Sequence, residues 1–181
     1  MDWTFTDEQI MLREMVRKFV NNELKPIADK IDQEKSFPRE IIDKIGELGL
    51  LGVAFPPEYG GAGMGETGYC VMQEEIGRGC ASPATMIGAH QSIGASGIYM
   101  FGTEDQKQKY LVPLAEGKKI GAYALTEPNA GSDAFNSETI AEDKGDHYLL
   151  NGRKLFITNG SFADIITLFA TVTDGKGRGK S

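Results

Sequence analysis

"YALTEPNAGSD", residues 123–133, is the stretch on which the reading of this chain turns. It follows a short β-prone run, Ala122 to Leu125, and breaks into Thr126, Glu127, Pro128, Asn129, Ala130, Gly131, Ser132 and Asp133. A strand that ends in hydroxyls, small residues and amides can hold a phosphate or a polar cofactor. Thr126 and Ser132 supply the hydroxyls, and Gly131 permits close backbone approach. The same residues also make a Pro-containing turn ending in an aspartate, and the loop alone does not choose between the two.

Upstream of Gly117 the sequence reads as helix. Thr6-Asp7-Glu8-Gln9 fits a capping box. Ile10, Leu12, Met15, Val16, Phe19, Val20 and Leu24 then recur at helical spacing, with Pro26 placed to kink or end the helix. A second helix is expected from Ser36–Pro38 through Ile41, Ile42, Ile45 and Leu48, with its exit at Gly49 and Gly52. The Pro/Gly-dense residues 55–65 are a loop, and helices follow near 66–78 and 83–101, the latter opened by Ser82-Pro83. Thr103-Glu104-Asp105-Gln106 is another capping box, starting a helix to about Glu116.

Downstream the residues favour strands. In "HYLLNGRKLFITNG" (147–160), Asn151-Gly152 between two β-prone runs predicts a tight type I′ hairpin. The second run, from Lys154, reads as a strand with Phe156 and Thr158 on one side. That pair suits stacking beside a flat heterocycle and bonding its edge, and it equally suits a core. Residues 163–174 predict one more strand. The expected fold class is α+β: an all-α helical domain over 1–119 and an incomplete antiparallel β domain over 120–181. A sheet that small, ending in "TDGKGRGKS", leaves open edges, which suggests part of a longer protein.

The formal net charge of −7 argues against a phosphate-tracking nucleic-acid surface. Two cysteines are too few for a disulfide framework or a thiolate metal site and fit a reducing compartment. Cys70 and Cys80 are expected to pack on helices. No apolar run reaches the roughly 20 residues of a membrane helix, and the charged start is unlike a signal peptide. The expected location is the cytoplasm of a bacterium or a mitochondrial matrix.

Standard catalytic motifs are missing. There is no G-x-x-x-x-G-K-[ST] loop and no G-x-S-x-G elbow, and glycine-rich 60–68 does not follow a strand as a Rossmann turn would. His90 and His147 lie far apart with no carboxylate cluster, so structural or surface roles are expected. Adjacent Glu74 and Glu75 do not share a helix face, and a solvated face is expected there.

Taken together, "YALTEPNAGSD" (123–133), "YLLNGRKLFITNG" (148–160), "EYGGAG" (58–63), "AHQSIG" (89–94) and "FGTEDQKQKYLVPLAEGKKIGAYALTEP" (101–128) resemble the acyl-CoA dehydrogenase family in the same order. The resemblance covers nearly the whole chain. It implies an N-terminal helical domain, a middle β domain and a C-terminal four-helix domain absent from this chain. It also implies an FAD cofactor and oxidation of a fatty acyl-CoA to the trans-2-enoyl-CoA. Electrons would pass to electron-transferring flavoprotein, in a homodimer or homotetramer.

By position, the resemblance places Tyr123, Leu125, Thr126, Gly131, Ser132, Phe156, Ile157 and Thr158 against FAD, with Ser132 also reaching the acyl-CoA. Phe156 stands where many relatives have Trp, so the aromatic wall is kept without an indole N–H. The family's catalytic glutamate falls beyond Ser181, so no residue of this chain is given that role, and the chain alone is expected to be inactive. The 83–101 helix resembles the one lining the family's acyl pocket. Gly88, Ala89, Gly94, Ala95 and Gly97 keep it slim, which suggests room for a long chain, and "GAHQSIG" resembles the very-long-chain members. An oxygen-using acyl-CoA oxidase relative, a branched- or short-chain dehydrogenase and a non-catalytic FAD- or acyl-CoA-binding module are the competing readings.

Overall fold

Thr6 caps the first helix in both directions. Its hydroxyl accepts the Gln9 N–H at 3.3 Å and its own N–H donates to Gln9 Oε1 at 3.1 Å. The structure, a computed structural model, describes residues 4–35 and 38–173. The expected helix start at Ser36 and the glycine-lysine end at 174–181 lie outside the described residues. From the cap runs α1 (Asp7–Phe19), which buries Leu12, Val16 and Phe19. Pro26 does not end the helical path. A π turn (Val20–Leu24) and a 3₁₀ turn (Lys25–Ile27) carry the chain into α2 (Ala28–Glu34). The proline sits in the first turn of the 3₁₀ segment, where a missing N–H leaves nothing unbonded.

Helix α3 (Arg39–Glu47) buries Ile41, Ile42 and Ile45, and the chain leaves it at Gly49, whose φ of 69° needs a glycine. After the loop comes α4 (Gly65–Gly79). Glu75 on this helix is not solvated as expected. It is 4% exposed and ion-paired to Arg17 of α1 and to Arg78, because α1 packs directly on that face. Next come α5 (Ala81–Gly88), a π segment (Ala89–Ala95) and α6 (Ser96–Phe101), one continuous helical path. It starts at Ala81 rather than at the Ser82-Pro83 signal, with no side-chain cap. Inside it the Ser92 hydroxyl donates back to Gly88 O at 2.7 Å and that of Ser96 to Ser92 O; such back-bonding accompanies local distortion of a helix. Thr103 caps α7 (Glu104–Gln106) with the second expected box, and a π segment (Lys107–Leu111) leads into α8 (Val112–Ala115).

The principal core gathers Val16, Val20, Ile45, Leu50, Met72, Ile76 and Ile87, all 0% exposed, so α1, α3, α4 and α5 share one apolar centre. Each such side chain contributes about 1.5–3 kcal/mol on leaving water. A smaller cluster joins Phe55, Ala95, Leu111 and Leu114. Cys70 is exposed rather than packed, and Cys80 is half-buried.

The β region is smaller and more mixed than an antiparallel domain. Strand β1 (Gly121–Ala124) pairs in parallel with β4 (Ile165–Leu168). Strand β2 (Ile140–Asp143), which was not expected, pairs antiparallel with β3 (Tyr148–Asn151) and parallel with β5 (Thr171–Thr173). The described residues 163–173 thus form two short strands that belong to different sheets, separated at Phe169-Ala170. The hairpin turn lies at Lys144–His147, with Gly145 at φ 94° and the Lys144 N–H bonded to His147 O, not at Asn151-Gly152. Gly152 serves close approach instead, since a Cβ there would lie 2.3 Å from Thr139 Oγ1.

The strand expected from Lys154, carrying Phe156 and Thr158, is also absent. Phe156 (φ 56°) and Asn159 (φ 67°) take left-handed backbone, which a regular strand does not, and instead of pairing in a ladder the segment bonds Thr126 O through the Leu155 N–H and Met86 O and Gly121 O through the Asn159 amide. Among the described residues no helix is long and apolar enough to cross a membrane.

Candidate functional site

Strand β1 is bound to the 81–101 helix at close range, and this contact builds the site. The Gly121 N–H donates to His90 Nδ1 at 2.9 Å, and Thr167 Oγ1 of β4 donates to Gly94 O at 2.7 Å. At Gly94 a Cβ would meet Ala122 N at 3.2 Å and Ala89 O at 2.9 Å, so the absence of a side chain lets helix and strand touch. His90 is 0% exposed, and burial pushes its imidazole down to about 4.

A cavity of about 260 Å³ opens beyond the end of β1, lined by Ala89 and Ile93 of the helix, Tyr123, Leu125 and Thr126, and Phe156, Ile157 and Thr158. Six of the residues singled out in the sequence, Tyr123, Leu125, Thr126, Phe156, Ile157 and Thr158, therefore meet around one cavity. Gly131 and Ser132 do not line it; both are exposed, and a Cβ at Gly131 would meet nothing within 4 Å. The loop between is also a tight turn, closed by Glu127 N–H to Ala130 O at 3.0 Å and the reciprocal bond at 3.3 Å. Phe156 and Thr158 reach the cavity from a left-handed bend rather than as alternate positions of a strand.

What the sequence did not show is how these two segments are fastened. Lys154 Nζ donates to Glu127 Oε1 at 2.7 Å, Leu125 O at 2.9 Å and Ser137 Oγ at 3.2 Å. The Glu127 side chain is 2% exposed and that of Lys154 9%. Burial works against the Glu127 charge, but bonds from Lys154, Ser137, Thr139 and Glu138 outweigh it and hold the carboxyl well below the usual carboxylate range. Asn159 is buried, its amide donating to Met86 O and Gly121 O, each at 3.0 Å. Of these, only Asn159 carried a sequence signal, since Asn before Gly tolerates left-handed backbone. Nothing local announces that Glu127 and Lys154 meet.

The chemistry of the lining fits a flat heterocycle with a polar edge. Its walls mix apolar side chains with the two threonines, and among the described residues neither the Thr126 nor the Thr158 hydroxyl is bonded to protein. A volume of about 260 Å³ takes part of a large cofactor, not the whole of one.

Beside it lies a larger, mainly apolar cavity of about 520 Å³ that shares Ile93 and Tyr123 and extends along Ser96, Gly97, Met100 and Phe101 to Phe169. Tyr123 and Phe169 pack with ring centres 5.2 Å apart. Of the helix's small residues, Gly94 and Ala95 are taken up by packing, while Gly97 lines this cavity.

The profile of the acyl-CoA dehydrogenase N-terminal domain matches residues 6–118, and that of the acyl-CoA dehydrogenase middle domain matches residues 122–181. The chain belongs to the acyl-CoA dehydrogenase family. It is 50% identical over 177 residues to the short-chain specific acyl-CoA dehydrogenase of Clostridium acetobutylicum, covering 98% of this chain and 47% of that protein. It also superposes, with a TM-score of 0.93 and 44% identity, on a chain solved in work on the electron transferring flavoprotein of Acidaminococcus fermentans, over 98% of this chain and 47% of that one. An acyl-CoA dehydrogenase from Bacillus anthracis complexed with FAD superposes with a TM-score of 0.86 and 41% identity, over 93% of this chain and 29% of that one. The chain spans about half the length of the curated relatives it matches.

Proposed function

We propose that this chain supplies the FAD- and acyl-facing half of an acyl-CoA dehydrogenase that oxidises a short-chain acyl-CoA to the trans-2-enoyl-CoA. The observation that carries the reading is the single cavity in which Thr126, Thr158, Tyr123 and Phe156 converge. The chemistry that FAD would supply there, when bound, is acceptance of the hydride from the acyl β-carbon. Thr126 and Thr158 would donate hydrogen bonds to the polar edge of the ring, where fixed neutral donors favour developing negative charge. The apolar walls, Ala89, Ile93, Leu125 and Ile157, keep water from that edge. Gly131 and Ser132, exposed beyond the turn, are assigned to the cofactor's diphosphate, and Ser132 also to the acyl-CoA.

Residues 1–119 line most of the cavity assigned to the acyl chain and the described residues after 119 most of the one assigned to the flavin, with Ile93 and Tyr123 bordering both. The acyl chain is assigned to the cavity of about 520 Å³. Its short length rests on the short-chain relative and on Gly94 and Ala95 being used for packing rather than room. This replaces the long-chain expectation drawn from the slim helix.

Removal of the acyl α-proton needs a base beside the thioester. Glu127 is unsuited, because its carboxylate is locked to Lys154 and held weakly basic. As the family resemblance implies, the base is assigned to a glutamate outside this chain, which alone is expected to turn over no acyl-CoA. Electrons leave to an electron-transferring flavoprotein, in keeping with the flavoprotein system in which a similar chain was solved.

The test is the purified full-length gene product. It should be yellow and should reduce an artificial electron acceptor faster with butyryl-CoA than with palmitoyl-CoA. A colourless preparation free of FAD overturns the reading, and a preference for palmitoyl-CoA overturns the chain length.

A further inference from the structure

Segment 154–159 is pinned at both ends and strained in the middle. At one end Lys154 Nζ bonds Leu125 O, Glu127 Oε1 and Ser137 Oγ, and the Leu155 N–H donates to Thr126 O at 2.9 Å. At the other, buried Asn159 bonds Met86 O and Gly121 O. Between the pins Phe156 is held at φ 56° and is 90% exposed. Phenylalanine has no local reason to adopt left-handed backbone, and such a conformation persists only where the surroundings impose it. An exposed ring makes too little contact to impose it, so the pins must.

We infer that the buried Lys154–Glu127 pair is a positioning device that holds Phe156 at the mouth of the cavity and thereby sets the grip on the flavin ring. The inference rests on the flavin reading above and names residues that act through Phe156 without touching the cofactor themselves. A buried ion pair is a poor source of stability, because a neutral pair of similar shape commonly serves as well. Its value lies in its place. It ties the residue after Thr126 to the residue two before Phe156, so the two walls of the cavity cannot separate while it is made.

The experiment compares the full-length gene product with its E127Q/K154M, E127Q, F156G and E127Q/K154M/F156G variants. The readouts are the FAD dissociation constant, the visible circular dichroism of the bound flavin and the far-ultraviolet helical signal. The double variant should keep the helical signal, bind FAD at least tenfold more weakly and show an altered visible band. E127Q alone, which keeps Lys154 on Leu125 O and Ser137, should weaken binding less. Adding F156G to the double variant should weaken binding little further, since pair and ring act as one unit.

Unchanged FAD affinity and visible band in a folded double variant overturn the inference, as do fully additive losses. Loss of the helical signal in both E127Q/K154M and E127Q assigns the pair to folding and overturns it too. A wild-type protein that binds no FAD overturns the flavin reading itself, and this inference with it.

Discussion

His90 Nδ1 accepts the Gly121 N–H at 2.9 Å, so the middle of the 81–101 helix is bonded directly to the first residue of β1. An accepting Nδ1 requires a neutral ring with its proton on Nε2, and burial at 0% exposure disfavours the imidazolium further. The contact that places the cavity thus depends on an uncharged histidine.

Stability should therefore fall with mild acid. The His90 pKa is about 4 when folded, against 6.5 when unfolded, so between those values the unfolded chain binds more protons. The contribution is complete above pH 6.5 and is lost as pH falls toward 4. Going from pH 7 to pH 5 should cost about 2 kcal/mol, read by urea unfolding. Glu75, Glu104 and Glu127, all shifted down, begin to lose their contributions only as pH falls toward the ordinary carboxylate value of 4.5, so they contribute little between pH 7 and pH 5. A folded His90→Gln variant should be flat across it; an undiminished slope would show another group is responsible.

Two glycines of the same helical path should respond oppositely to alanine. Gly94→Ala drives a methyl into Ala89 O and the β1 backbone and should cost about 2 kcal/mol. Gly97→Ala meets only Thr167 Cγ2 at 3.6 Å, an ordinary contact, and should gain up to about 1 kcal/mol from helix propensity. Thermal unfolding of the two variants separates packing from propensity.

At Phe156 the usual order of alanine and glycine should reverse. Where φ is negative, glycine is the less stable residue; at φ 56° alanine keeps the strain and glycine releases it. Phe156→Gly should exceed Phe156→Ala in unfolding free energy by about 1 kcal/mol in urea titrations. Equal values would mean that the left-handed conformation is not maintained in solution.

Lys154→Met leaves the Glu127 carboxylate buried beside its remaining donors without a counter-charge, and should lose about 3 kcal/mol. Adding Glu127→Gln should recover most of that loss, because the neutral pair carries no desolvated charge. Unfolding midpoints of the single and double variants give the comparison, and a double variant no better than the single would refute the charge argument.

The helical half was legible in the residues because its signals are local. Capping boxes at Thr6 and Thr103 and the apolar spacing of α1 and α3 act within a few residues, and the structure reproduces them. The sheet region was not, because its pairing is set by contacts far apart in sequence. Residues 163–174 look like one strand, yet β4 binds β1 while β5 binds β2. "KLFITNG" has strand composition, yet the Lys154 and Asn159 bonds to distant carbonyls bend it at Phe156.

The same division holds for the site. By itself the sequence supplied the residue types, the hydroxyls of Thr126 and Thr158 and the rings of Tyr123 and Phe156, that the structure brings around one cavity. Only the tertiary structure decided how they are held. A carboxylate and an ammonium 27 residues apart become a pair once the fold removes water from both and leaves each the other as its best partner.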